Sequence, residues 1–190
     1  MIYWEQESEK KTHVPERVFH AFSGIYFHYR KIILPIVMFT DPAKWEVPVA
    51  SNFNMELHGF SINSFNYHLI KVKDIKAEEF IHDQPDNPLT YAYLPLTDYP
   101  KEKRPEIMAK AMLGINQTSK NERIKATLSS LVSQSMKLDM EERKQYDTII
   151  AQQSLFKEVK MLESMKDLGR EEGLEEGIEK GMEKGIEKVA

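Results

Sequence analysis

Apolar and polar positions over the first part of the chain predict a strand, a helix and a further strand. Ile2-Tyr3-Trp4 is typical of the end of a strand, and Pro15 suits the first turn of a helix. Apolar residues then recur at helical spacing at Val18, Phe22, Ile25 and Tyr29. The continuous apolar run 34–39 favours a strand covered on both faces, and 65–72 a second one with alternating apolar positions. This order predicts an α/β sheet.

Proline and glycine divide the rest of the chain. All nine prolines lie at or before Pro105, and five of the eight glycines lie at or after Gly169. Residues 106–168 contain one glycine and no proline, so they predict a helical region of two to four helices. We therefore predict four regions, namely an α/β region at 1–75, a loop-rich connection at 76–105, the helical region at 106–168 and a low-complexity tail at 169–190.

The tail repeats a four-residue unit of glycine, an apolar residue, glutamate and a charged residue. A step of four residues keeps the apolar positions on one broad face of a helix. Each glycine costs about 1 kcal/mol relative to alanine, so an isolated helix here is marginal. The acidic Gly/Glu/Lys tail is either a frayed, solvated helix or a helix that orders against a second copy.

Charge and cysteine content narrow the function. The formal net charge of −4 and the pI near 5.9 exclude a global positive field that would attract nucleic acid, so such a partner needs a local basic patch. The chain has no cysteine, which excludes disulfides, thiolate nucleophiles and cysteine-bound metals and favours a reducing cytosol. The longest apolar run, 32–39, is too short for a membrane helix. We expect a cytoplasmic protein with no membrane partner.

The candidate catalytic residues are Glu5 and Glu7, at the end of the first predicted strand. Residues two apart in a strand point to the same face, so both carboxylates can reach one cation or water. Taken alone, such a pair is more often exposed surface. The nearby basic residues Lys10, Lys11 and Arg17 are candidates for DNA phosphate contacts, or else part of a solvated face. The six histidines show no metal-ligand spacing.

A set of motifs between Ile2 and about Val72 resembles a known family. The segment IYWEQES is followed by PERVFHAFSGIYFHYRKIILPIVMFTD and later by Phe65-Asn66-Tyr67. This order is similar to that of the bacterial recombination-promoting nucleases, a transposase-related family of the PD-(D/E)XK nuclease superfamily. In that family an E-x-Q strand end precedes a P-x-R-x-F helix and a proline-started strand. The glycine–glutamate tail is also common there.

The resemblance implies a restriction-endonuclease-like core that binds Mg²⁺ through an Asp on one strand and the Glu of E-x-Q on the next. Glu5 matches the metal-binding Glu, and Glu7 replaces a Lys or Gln. The partner Asp and its helix should precede Glu5, where this sequence has four residues. We therefore expect an incomplete nuclease core in region 1–75. Asp41, at the end of the next strand, could in principle substitute for the missing Asp, but the family places no catalytic carboxylate there.

The expected protein is thus a fragment or truncated member of a metal-dependent DNA endonuclease family that promotes recombination. Its fold class is α/β, an incomplete restriction-endonuclease-like mixed sheet followed by a mainly helical C-terminal half. DNA and Mg²⁺ are the family-implied partner and cofactor, and the chain is expected to be inactive alone, which leaves its status as an enzyme open. The alternative is a non-catalytic regulatory protein that forms homo-oligomers through its helical region.

Overall fold

The computed structural model describes residues 1–152 and 159. The predicted tail at 169–190 lies outside these residues, as does the end of the predicted helical region. The protein has mixed α/β content with a mainly helical C-terminal half, which confirms the α/β class and the helical second half that the sequence predicts. The chain divides into two compact units: unit 1 comprises Met1–Ala77 with Leu96–Asp98, and unit 2 comprises Glu78–Pro95 with the chain from Tyr99 onward.

Unit 1 is built on a strand–helix–strand arrangement. Its elements are β1 (Ile2–Glu7), α1 (Val14–Tyr29), β2 (Leu34–Phe39), β3 (Asn52–Leu57), β4 (Phe60–Asn66), β5 (His68–Lys71) and a 3₁₀ turn at Val72–Asp74. The main sheet has the order β1-β2-β5 with all strands parallel. β2 is the central strand, and β5 pairs with it only from Ile36 onward. At Pro35 the one described neighbour of β2 is therefore β1, and a proline is tolerated where a strand has a neighbour on one side.

The helix α1 forms where the sequence predicts it. Pro15 lies in its first turn, where a missing N–H costs nothing. At the other end Arg30 adopts a left-handed conformation (φ 52°), and its N–H donates to the carbonyl oxygen of Tyr26 at 2.8 Å. Val14 and Val18 are fully buried against Val37 and Phe39 of the sheet. This contact fixes the first turn of α1 above the carboxyl ends of β1 and β2.

A second, two-stranded sheet was not predicted. β3 and β4 form an antiparallel hairpin around His58 and Gly59, which both have positive φ (50° and 80°), as a tight two-residue hairpin turn requires. Phe53 and Phe65 pair across its strands, and both rings lie within 5.4 Å of the Phe19 ring of α1. Aromatic packing therefore holds the hairpin against α1.

The strand predicted over 65–72 is wrong as a single element. Phe65 and Asn66 end β4, and the chain passes through Tyr67 into β5 of the main sheet. Tyr67 N–H donates to the carbonyl oxygen of Ser51 at 3.0 Å instead of joining either strand's ladder. Phe65, Tyr67 and Leu69 nevertheless all pack into the core of unit 1, because the alternation continues across the break.

The segment Leu96–Asp98 belongs to unit 1, and Asp98 makes its hydrogen bonds and ion pairs with that unit. Its backbone N–H donates to the Ile75 carbonyl at 2.8 Å, and its carbonyl accepts from the Ala77 N–H at 3.2 Å. Its carboxylate pairs with Lys44 at 3.0 Å and with Lys76. Hydrogen bonds from these two lysines lower the pKa of Asp98 to about 2.

Unit 2 is helical. Its described helices are α2 (Ala77–Asp83, which begins at the last residue of unit 1), α3 (Pro88–Tyr93), α4 (Arg104–Thr118), α5 (Glu122–Ser135) and α6 (Met140–Ala151). Two 3₁₀ turns lie at Leu94–Leu96, whose last residue belongs to unit 1, and at Lys101–Lys103. The segment 76–105, expected to be a loop-rich connection, thus contains two short helices. Asn121 caps α5, and Asp139 and Glu142 form a capping box on α6.

The core of unit 2 is centred on α4, which contacts α3, α5 and α6. α4 buries Ile107, Met112 and Ile115, and α6 contributes the fully buried Tyr146 and Ile150. In the part of the chain that the structure describes, no helix is both long and apolar enough to cross a membrane.

Candidate functional site

The carboxyl ends of the three parallel strands bring together the residues with candidate chemistry. Glu7, Phe39 and Lys71 are register neighbours at the last paired position of β1, β2 and β5. In open parallel sheets, ligands bind at this edge. Glu5 and Glu7 therefore lie where a site is expected.

Tyr3, Glu5 and Glu7 alternate along β1 and share the face covered by α1. The hydroxyl of Tyr3 donates to Glu5 Oε2 at 2.6 Å. Glu7 is buried, with 7% of its surface exposed. A buried carboxylate needs a partner to offset its loss of hydration, and one is supplied by the helix above it.

That partner is Arg17, in the first turn and a half of α1. Its Nη2 lies 2.5 Å from Glu5 Oε1 and also contacts Glu7 Oε1. Lys11 Nζ lies 3.9 Å from the other Glu7 oxygen. We call these residues (Tyr3, Glu5, Glu7, Lys11 and Arg17) the Arg17 cluster. One guanidinium thus bridges the two carboxylates of Glu5-Gln6-Glu7.

Burial also governs the phenols beside the carboxylates. It raises the pKa of Tyr3 to about 12, with further increases from its hydrogen bond to Glu5 and from the charge of Glu5. Burial likewise raises the pKa of Tyr67 to about 12, and the charge of Glu5 adds to the effect. Both phenols therefore stay protonated near neutral pH. Tyr3 acts as a hydrogen-bond donor to Glu5 and Tyr67 as a donor to the Ala50 carbonyl at 2.5 Å.

A second group of residues lies near the carboxyl ends of β2 and β5. It contains Asp41, Trp45 and Lys71, and we call it the Trp45 cluster. Lys71 Nζ lies 4.1 Å from the Trp45 ring centroid and donates to the Asp41 carbonyl at 2.6 Å. Burial lowers the pKa of Lys71, and Asp41 opposes that shift. The Trp45 ring also packs edge-on against Phe39, 4.7 Å between centroids.

Both oxygens of the Asp41 carboxylate accept hydrogen bonds within its own loop. Its two oxygens accept from the Ala43 N–H at 2.8 Å and from Trp45 Nε1 at 2.9 Å. Burial acts to raise its pKa, but these hydrogen bonds and the charge of Lys71 outweigh it and lower the pKa below the usual value. Asp41 therefore acts as the anchor of a loop, with both oxygens engaged.

The Mg²⁺ that the family resemblance implies does not fit the side chains at the carboxyl ends of β1, β2 and β5. Mg²⁺ needs carboxylate oxygens that are free to replace its tightly held waters. Glu5 and Glu7 are instead bound by Arg17, with Tyr3 on a further Glu5 oxygen. Within residues 1–152 and 159, no three His, Asp or Glu side chains form a group that could hold a metal. No step of a reaction is therefore assigned to a metal here.

The structure places four of the five predicted site residues together. Glu5, Glu7, Lys11 and Arg17 all belong to the Arg17 cluster. Lys10 is elsewhere, since its Nζ donates to the carbonyl of Val47 and lies 5.7 Å from the Trp45 ring centroid. The three residues predicted to bind DNA therefore all have partners within unit 1.

Sequence reasoning missed what Arg17 does. A helix that follows a parallel strand runs back over the sheet, so its first turn lies above that strand's carboxyl end. This geometry, with Glu5 and Glu7 alternating on β1, was a usable signal for an Arg17 bridge. No comparable signal existed for the contact between Lys71 and Trp45, because it depends on the conformation of the loop after β2.

Comparisons with known proteins identify no relative of this chain, since no protein-family model, no curated protein and no solved structure matches it.

Proposed function

We propose that this chain is a non-cleaving protein with a nuclease-like strand–helix–strand core, related to the recombination-promoting nuclease family. The observation that carries the proposal is the Arg17 bridge between Glu5 and Glu7. A guanidinium is permanently charged and makes charge-assisted hydrogen bonds in fixed geometry. It therefore competes with any metal ion for the carboxylates.

The basic residues support the same proposal. A DNA phosphate at Lys11 or Arg17 would have to compete with Glu7, and one at Lys10 with the Val47 carbonyl. Phosphate binding gains affinity from lysine and arginine side chains that are free to neutralise it. We therefore assign DNA cleavage to other members of the family, and to this chain a structural or regulatory role beside them.

The helical region gives less support to self-association than its sequence did. Leu128 is buried and Val132 fully buried within unit 2. Ile124 is the exposed apolar residue of the same helix. The large apolar side chains of α5 are thus mostly buried inside their own unit, and helical self-association remains the alternative.

Nicking of supercoiled plasmid DNA tests the proposal. We expect the purified 190-residue chain, with Mg²⁺ or Mn²⁺, to produce no more nicked plasmid than buffer alone. The proposal fails if the chain nicks DNA through Glu5. In that case Glu5→Ala removes the nicking activity, whereas the control Lys31→Ala, at an exposed residue outside the Arg17 cluster, retains it.

A further inference from the structure

The last turn of α1 and the residues that follow it carry aromatic, apolar and basic side chains on the surface. Every residue of the segment 26–32 is exposed, and Ile33 is the next buried one. Phe27 is 73% exposed and Ile32 is 91% exposed. The set that we call the aromatic–basic patch consists of Tyr26, Phe27, Tyr29, Arg30, Lys31 and Ile32.

The aromatic–basic patch is locally positive, although the chain as a whole has a formal charge of −4. Residues 17–40 contain no aspartate or glutamate. Among residues 1–152 and 159, no acidic side chain pairs with Arg30 or Lys31. The carboxyl end of a helix carries about half a negative charge, which two cations exceed. The patch therefore attracts anionic surfaces.

The aromatic–basic patch is distant from the Arg17 cluster. The first turn of α1 lies above the carboxyl ends of β1 and β2, where Val14 and Val18 pack on the sheet. The 16 residues of α1 span about 24 Å, so the patch lies at the opposite end of the helix. Binding at the patch is therefore independent of whether Glu5 and Glu7 hold a metal.

The composition of the patch favours a lipid surface over a nucleic acid. Arg30 already covers two of the rings, since its guanidinium carbon lies 4.9 Å from the Phe27 ring centroid and 5.8 Å from that of Tyr26. A stacked base would compete with it, and the aliphatic Ile32 offers no ring to stack on. The interface of a bilayer, in contrast, accepts apolar, aromatic and basic side chains together.

We propose that this chain binds the surface of anionic lipid bilayers through the aromatic–basic patch. Phe27 and Ile32 enter the boundary between headgroups and acyl chains, and Arg30 and Lys31 pair with anionic headgroups. Such a contact needs no helix that spans the bilayer. It replaces the expectation of no membrane partner, which rested on the lack of a long apolar run.

Co-flotation of the full 190-residue chain with vesicles tests the proposal. We expect binding to phosphatidylcholine vesicles that contain about 30% phosphatidylserine, little binding to phosphatidylcholine alone, and weaker binding as salt is raised. Arg30→Gln with Lys31→Gln should weaken binding about tenfold or more. The control Lys110→Gln with Lys120→Gln, at exposed residues of unit 2, removes the same charge and should bind as the native chain does.

Two outcomes of this experiment would overturn the proposal. One is a chain that does not float with the anionic vesicles, and the other is an equal loss of binding in the two double variants. Fluorescence anisotropy with a single-stranded oligonucleotide identifies the competing partner. If the oligonucleotide binds through Arg30 and Lys31 and the vesicles do not, the patch is a nucleic-acid site and the proposal is wrong.

A dye at position 32 tests insertion separately from charge. The chain has no cysteine, so Ile32→Cys provides a single thiol for an environment-sensitive fluorophore. We expect its emission to shift to the blue on addition of the anionic vesicles. Met140→Cys, at an 82% exposed residue of unit 2, is the control and should show no shift. The same response at both positions, or none at position 32, would contradict the proposed contact.

Discussion

Arg17 determines what the two carboxylates of β1 can do. Glu7 is buried and Glu5 is partly buried, so each needs a charged or hydrogen-bonding partner. A single guanidinium serves both because Glu5 and Glu7 are two residues apart and point to one face. The bridge therefore links β1 to α1 and removes the carboxylates from other chemistry.

Arg17→Ala should destabilise unit 1 by about 2–4 kcal/mol, because it leaves the buried Glu7 without its main partner. Lys11→Ala is the matched control, since its contact with Glu7 is 3.9 Å long and exposed, and it should cost about 0.5 kcal/mol or less. Urea denaturation followed by tryptophan fluorescence measures the effect, because both tryptophans, Trp4 and Trp45, belong to unit 1. Equal stability of the two variants would show that the bridge contributes little.

At the scale of elements, helix packing gives Gly24 and Gly114 different roles, although the sequence alone does not distinguish them. Gly24 lies on the exposed side of α1, and a Cβ added there would meet no atom within 4 Å. Gly114 lies in α4, where an added Cβ would come within 2.1 Å of the Tyr91 ring. Tyr91 is held in place by its hydroxyl, which donates to the Pro85 carbonyl at 2.9 Å. Close approach of α3 to α4 thus depends on the glycine.

Gly24→Ala and Gly114→Ala should change stability in opposite directions. Alanine at position 24 should stabilise the helix by about 0.5–1 kcal/mol, because it restricts the unfolded chain and meets open space. Alanine at position 114 should destabilise unit 2 by about 1–3 kcal/mol through overpacking against Tyr91. Thermal unfolding followed by circular dichroism measures both, and stabilisation by Gly114→Ala would show that α3 moves away easily.

The link between Asp98 and the two lysines predicts acid sensitivity. The pKa of Asp98 is about 2 in the folded chain and 3.8 ordinarily, so the unfolded state binds the proton more readily. Its stabilising contribution is therefore complete above pH 4 and is lost as the pH falls towards 2. Asp98→Asn should reduce the stability of unit 1 at pH 7, and the difference from the native chain should shrink as the pH falls towards 2. A stability difference that does not change with pH would contradict this account.

The elements that could be predicted were those with strong apolar periodicity. α1 and β2 were predicted because Val18 and Phe22 recur at helical spacing and 34–39 is continuously apolar. The hairpin could not be predicted, because polar residues separate its core side chains Phe53 and Phe65 and the turn depends on His58 adopting positive φ. Of the candidate site, the positions of Glu5 and Glu7 were predicted, but their pairing with Arg17 depends on how α1 packs.

At the scale of the whole molecule, the chain contains two units with separate cores. Unit 1 has the parallel sheet with α1 and the hairpin, and unit 2 has the helices around α4. The residues with candidate chemistry all lie in unit 1. The Arg17 and Trp45 clusters thus belong to one unit of the protein, and unit 2 is stabilised by apolar packing and helix caps of its own.

The central claim is that Arg17 occupies the two carboxylates of β1, Glu5 and Glu7, and keeps them from holding a metal ion. Titration of Mn²⁺ into the purified 190-residue chain, with free Mn²⁺ measured by electron paramagnetic resonance, tests this claim most directly. The account predicts no saturable Mn²⁺ site in the native chain and no difference between it and Glu5→Ala. Saturable binding of one Mn²⁺ that Glu5→Ala abolishes would contradict the account, because it would show that the metal displaces Arg17.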